Sequence, residues 1–153
     1  DHIFHQHYGR ENVVRNNIFA FAPQIAVLSV GDPDFQSVSF YRNIFISDGR
    51  PMYAPGYHCA LDARPFDSDV NLFWDLQGPP RFQNRRSDPE SDWLDIDAVR
   101  AYGLERNSVV ADPKVKDLAG RDFALAEDSP AAQIGFRPID LSDVGPRPKE
   151  KRD

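Results

Sequence analysis

A single cysteine, Cys59, stands in a chain of 153 residues. One thiol closes no disulfide within the chain and builds no thiolate metal cluster. Basic charge is short as well: 18 Lys and Arg against 24 Asp and Glu give a formal charge of −6. A nucleic-acid binder needs a basic face, so that class of partner is set aside. No apolar run approaches the roughly 20 residues of a membrane-spanning helix. Histidine is scarce, with four in the chain. A tetrahedral zinc site takes three or four ligands, and His2, His5, His7 and His58 do not promise one. No metal and no cofactor is expected.

What is present is globular. The chain is 41% hydrophobic and 27% charged, at a length of one ordinary domain. Only the end, "GPRPKEKRD" (Gly145 to Asp153), lacks apolar residues to bury, so residues 146–153 read as a disordered basic tail. The start, "DHIFHQHYG", has no Met and no polar lead-in. It reads as a strand already under way, hence as a truncated edge from which any signal peptide would be missing.

Internal repetition is the most informative feature. "RNNIFAF" (Arg15 to Phe21) returns as "YRNIFIS" (Tyr41 to Ser47) and more loosely as "DVNLFWD" (Asp69 to Asp75). The shared asparagines are Asn17, Asn43 and Asn71, at spacings of 26 and 28 residues, each followed by Ile or Leu and then Phe. Upstream of each lies strand character. In "SVSFYRN", Val38 and Phe40 fall on one face and Ser39 and Tyr41 on the other. Gly, Pro and Asp turns such as "GDPD" (Gly31 to Asp34) separate the strands.

A period in the mid-twenties with a fixed Asn predicts an all-β parallel β-helix of about three coils over residues 1–86. The Asn is expected to take the left-handed backbone conformation at a corner, and its amide to bond the Asn of the next coil. The alternative is a β-sandwich in which the likeness is accidental. Residues 87–145 then read as a C-terminal helix and capping strands. In "SDWLDIDAVRAYG" (Ser91 to Gly103), Trp93, Ile96, Val99 and Tyr102 have near-helical spacing, with Ser91 or Asp92 as N-cap and Gly103 as stop. An open last coil invites aggregation, and Trp93 with its helix is the expected cover.

The runs "FHQHYGRENVVRNNIFAF", "FYRNIF", "NLFWD" and "YGLERNSVVADPKVKD", followed by "DFALAEDSPAAQIGF", resemble the C-terminal part of bacterial right-handed parallel β-helix proteins. More narrowly, they resemble relatives of glycoside hydrolase family 141. The likeness runs from Phe4 to about Gly145. Asp112-Pro113, Asp122-Phe123, Ser129-Pro130-Ala131 and Gly135-Phe136 mark the fold, and "HQHYG" (His5 to Gly9) is the narrower marker. The resemblance implies an extracellular or periplasmic enzyme that hydrolyses plant-type polysaccharide with paired carboxylates. It also implies missing upstream coils of the same protein as partner, and an active site incomplete in this chain.

The candidate catalytic residues are His5, His7, Asp32, Asp34 and Asp48. Strand alternation gives His5 and His7 one face, opposite Phe4, and imidazoles there can bond sugar hydroxyls or move protons near neutral pH. Glycosidic hydrolysis needs two carboxyl groups, and Asp32, Asp34 and Asp48 lie on loops that stacking brings near other coils. Each also fits ordinary turn chemistry. Tyr8, Tyr41 and Trp74 are candidate stacking surfaces, and Arg15 and Arg42 nearly align between coils, where they can hold an acidic sugar or offset carboxylates such as Glu11. A non-catalytic carbohydrate-binding cap is the second expectation, and a polysaccharide lyase the third.

Overall fold

The structure, a computed structural model, describes residues 2–6, 9–22, 25–29, 38–54, 61, 66–84, 93–140 and 144–145. The chain passes three times through the same three sheets. Its first pass makes β1 (His2–Gln6), β2 (Asn12–Arg15) and β3 (Ile18–Ala20). The second makes β4 (Ile25–Ser29), β5 (Val38–Tyr41) and β6 (Ile44–Ser47), and the third β7 (Tyr53–Ala54), β8 (Asp67–Asp69) and β9 (Leu72–Asp75). Every pairing between passes is parallel, and the sheets are ordered β1-β4-β7, β2-β5-β8 and β3-β6-β9. The chain is thus mostly β, as expected.

Register places like on like. Phe19 pairs with Phe45 and Phe45 with Phe73, and the three rings stack at centroid distances of 5.1 and 5.0 Å. That spacing is close to the roughly 4.8 Å between paired strands, so rings at one register position meet face to face. In β5 the expected alternation holds: Val38 and Phe40 are buried, while Ser39 and Tyr41 are half-buried. Phe4 also turns inward, its ring edge-on to Phe40 at 5.2 Å.

The asparagines stack as well. Asn43 Oδ1 accepts from the backbone N of Asn17 at 3.1 Å and from its side-chain amide at 3.2 Å. Asn71 Oδ1 does the same for Asn43, at 2.9 and 3.2 Å. One expectation is corrected here. The left-handed backbone falls on the residue before each Asn: Asn16 (φ 61°), Arg42 (φ 55°) and Val70 (φ 55°). The turn is made one step early so that the Asn can face inward and spend its amide on its neighbours.

β6 is buried on both faces. Its inward Phe45 joins the aromatic stack, while Ile44 and Ile46, with Leu72, form a second apolar cluster with Ala131 and Ile134. That outer layer comes from the C-terminal section: β12 (Val109–Val110), which adds parallel to β9, the antiparallel pair β13 (Val115–Asp117) and β14 (Asp122–Leu125), and a 3-10 turn at Pro130–Ala132. Ser129 fixes the turn by donating to Pro113 O at 2.6 Å and accepting from Ala131 N at 3.2 Å.

The helix is shorter than expected. α1 spans Ile96–Ala101, and its N-cap is Asp95, which accepts from Ala98 N at 2.8 Å. Ser91 and Asp92 lie outside the described residues. Trp93 belongs instead to β11 (Trp93–Leu94), antiparallel to β10 (Phe82–Gln83), with the Arg81 guanidinium 3.6 Å above its ring. The core is closed from this side by Val99 and Leu104, both fully buried in the aromatic cluster. No helix among the described residues is long and apolar enough to cross a membrane.

Candidate functional site

His7, Tyr8, Asp32 and Asp34 lie outside the described residues, and His5 is placed in β1, opposite Leu28 of β4. Asp48 is exposed after β6, and its Oδ1 accepts from Gln77 Nε2 at 2.7 Å. The carboxylate of the next pass, Asp75, is buried and accepts from the backbone N of Gly49 at 2.8 Å and of Gln77 at 2.9 Å. These two aspartates meet around Gln77 and hold turns. Tyr41 bonds the Asp67 carboxyl, which raises the phenol above its ordinary value, with partial burial adding to it. Trp74 is half-buried against the outer apolar cluster.

Arg15 and Arg42 do come together, and a third arginine joins them. Arg15, Asn16, Arg42, Gly135 and Arg137 line a cleft of about 320 Å³. The C-terminal segment gets there because Asn16 grips it from both sides. Asn16 Oδ1 accepts from Arg137 N at 2.6 Å, and its amide donates to Arg137 O. Arg42 lies over Gly135, where an added Cβ would stand 3.5 Å from Arg42 Nε and where φ is +67°. A second cleft of about 600 Å³ shares Asn16 and is lined by Ile18, Phe123, Phe136, Pro138 and Ile139.

Sequence reasoning missed Arg137, Gly135 and the role of Asn16. The doubled asparagine "NN" at 16–17 was the available signal, since one amide serves the stack and the other faces away from it. Nothing local marks Arg137, which meets its partner across 121 positions.

A buried polar cluster ends the asparagine stack. In place of a fourth Asn, Ser108 Oγ accepts from Asn71 N at 2.8 Å, and Asn71 Nδ2 donates to Glu105 Oε2 at 3.1 Å. Glu105 is fully buried, and burial raises its carboxyl from 4.5 to about 7, against the opposing hydrogen bonds from Ser108, Ser68 and Asn71. Its Oε1 and the Tyr53 hydroxyl are buried without a well-formed partner among the described residues. Burial first, and then the Glu105 carboxyl, push the Tyr53 phenol well above its ordinary value. Both side chains are buried, Glu105 fully and Tyr53 to within 2%, in the position that ends the asparagine stack. No group of three or more His, Cys, Asp or Glu among the described residues is placed to hold a metal ion. No family model, curated protein or solved structure matches the chain.

Proposed function

We propose that the chain is the C-terminal end of a right-handed parallel β-helix protein that acts on plant-type polysaccharide outside the cell, a glycoside hydrolase of the kind family 141 represents. Right-handedness is the expectation for parallel strands joined by a crossover, which take that hand in about 98% of cases. In this proposal the segment closes the coil and holds saccharide, while preceding coils complete the catalytic carboxylates.

One observation carries it: the asparagine stack is open at its top. Asn43 Oδ1 and Asn71 Oδ1 each accept two hydrogen bonds from the pass before, whereas Asn17 Oδ1 accepts none among the described residues. An Asn one coil earlier would donate to it in the same pattern. Phe4 and Phe19 likewise present inward rings to that end.

A second class of function, a non-catalytic binding cap, is favoured by the turn-holding roles of Asp48 and Asp75. One experiment weighs both. Plant oligosaccharides are titrated against the chain while released reducing ends are measured. Binding without turnover is expected. Turnover by the chain alone would overturn the division of labour between this segment and upstream coils, and failure to bind any saccharide would overturn the proposal as a whole. In the protein with its preceding coils, a His5→Ala/His7→Ala variant that keeps binding and loses turnover supports the hydrolase; lost binding alone supports the cap.

A further inference from the structure

We infer that Arg15, Arg42 and Arg137 form a subsite for an anionic saccharide, specifically for the carboxylate of a uronic acid residue in a polysaccharide chain. This rests on the polysaccharide proposal above and names the class of sugar.

Three arginines from separate stretches of chain line one cleft of about 320 Å³, and the Arg42 guanidinium lies beside Gly135 within it. Among the described residues none of the three has a carboxylate partner, although the chain carries a net charge of −6 and Arg100, Lys114 and Lys116 each pair with an aspartate. Gathering like charges opposes folding unless an anion joins them. The arrangement is also built. Arg137 is fixed through its backbone by the Asn16 carboxamide, and Arg42 lies across a glycine that leaves it room.

The chemistry of the ligand follows from the donors and the space. A guanidinium presents a planar fork that matches a carboxylate two bonds at a time. A bare inorganic ion is far smaller than the cleft, whose volume falls at the low end of the roughly 300–1,000 Å³ of small-molecule sites. The neighbouring cleft, sharing Asn16, offers Ile18, Phe136 and Pro138 as apolar surface for the C–H face of a sugar ring. Charge on one side and apolar surface on the other suit an acidic sugar.

The test is calorimetric titration of the full chain, at low salt, with an oligogalacturonate, its methyl-esterified neutral form, and inorganic phosphate. Arg42→Gln, Arg137→Gln and Arg42→Lys are run beside the wild type, with circular dichroism as the check on folding. The acid form is expected to bind, to weaken about tenfold in each Gln variant, to recover only in part with Lys, and to weaken as salt rises. Equal affinity for acid and esterified forms, or unchanged affinity in folded Gln variants, would overturn the inference and leave the polysaccharide proposal standing. Phosphate binding as tightly as the oligouronate would remove saccharide from this cleft. No binding of either oligosaccharide would overturn the inference, while the polysaccharide proposal falls only if the other plant oligosaccharides also fail to bind.

Discussion

Asn43 gives both of its amide hydrogens to acceptors of adjacent passes, Val14 O at 2.9 Å and Asn71 Oδ1 at 3.2 Å, while its own Oδ1 serves Asn17. It is fully buried, and Asn17 is exposed. The same residue type in the same motif therefore has different energetic weight.

Asn43→Ala leaves Val14 O and Asn17 N without these partners inside a protein environment, and an orphaned buried group costs about 1–3 kcal/mol. Urea denaturation is expected to show a loss of about 3 kcal/mol for Asn43→Ala and under about 1 kcal/mol for Asn17→Ala, where water replaces the amide. Equal losses would mean that the stack is not the element that sets stability here.

Val70 holds φ at 55°, a conformation that costs an ordinary L-residue about 1–2 kcal/mol and suits a β-branched one worst. Glycine adopts it freely. Trimming Val70 to Ala removes packing from the outer cluster but keeps the strain; trimming to Gly removes both. Val70→Gly is thus expected to be more stable than Val70→Ala by about 1 kcal/mol, the reverse of their usual order in regular structure. The midpoints of thermal unfolding of the two variants decide it.

Much of this scaffold was legible in the sequence. The Asn-Ile-Phe repeat names residues that meet through a register that is itself periodic, and Val38 and Phe40 disclose their inward face by simple alternation. What could not be read was of two kinds. The left-handed corner falls on Asn16, Arg42 and Val70, three side chains with no shared chemistry, so position between the paired strands imposes the conformation and composition is silent. Trp93 fits a helical period equally well, yet pairing with Gln83 in an antiparallel ribbon and capping by Asp95 start the helix later. The arginine cleft was half legible for a related reason. Arg15 and Arg42 belong to the repeat, and Arg137 arrives on a segment whose path is set by packing on Ile44, Ile46 and Leu72.

Glu105 links the end of the stack to pH. Burial raises its carboxyl from 4.5 to about 7, so the folded state keeps a proton that the unfolded chain gives up. The sign follows from linkage: between those values the native state binds more protons, and stability falls as pH rises. The contribution is whole below about pH 4.5, declines through about pH 7 and is then lost, a total of roughly 3 kcal/mol at about 1.4 kcal/mol per unit. Glu105→Gln keeps an acceptor for Ser108 and Asn71 and places an amide toward Tyr53. Denaturation curves at pH 5 and pH 8 are expected to differ for the wild type by this component and to lose that difference in the variant. A variant with the wild-type pH dependence would assign it elsewhere.

Asn16 ties the outer segment to the first pass, and its replacement separates fold from site. Asn16→Gly accepts φ 61° without strain and loses only the two hydrogen bonds to Arg137, about 1–2 kcal/mol together. Asn16→Ala loses the same bonds and adds the left-handed penalty, so it should be the less stable of the two by about 1 kcal/mol. In both, Arg137 is no longer held by its backbone. Amide hydrogen exchange at Arg137 should quicken while protection at Phe45 and Phe73 in the aromatic stack stays high, because local opening of an outer segment need not disturb the sheets beneath it. Oligouronate affinity should fall with the exchange protection, since a guanidinium on a loosened segment must be ordered again at each binding event. Unchanged protection at Arg137 would show that Ile134 and Phe136, packed on the sheet, suffice to place it, and that the asparagine grip is incidental to the cleft.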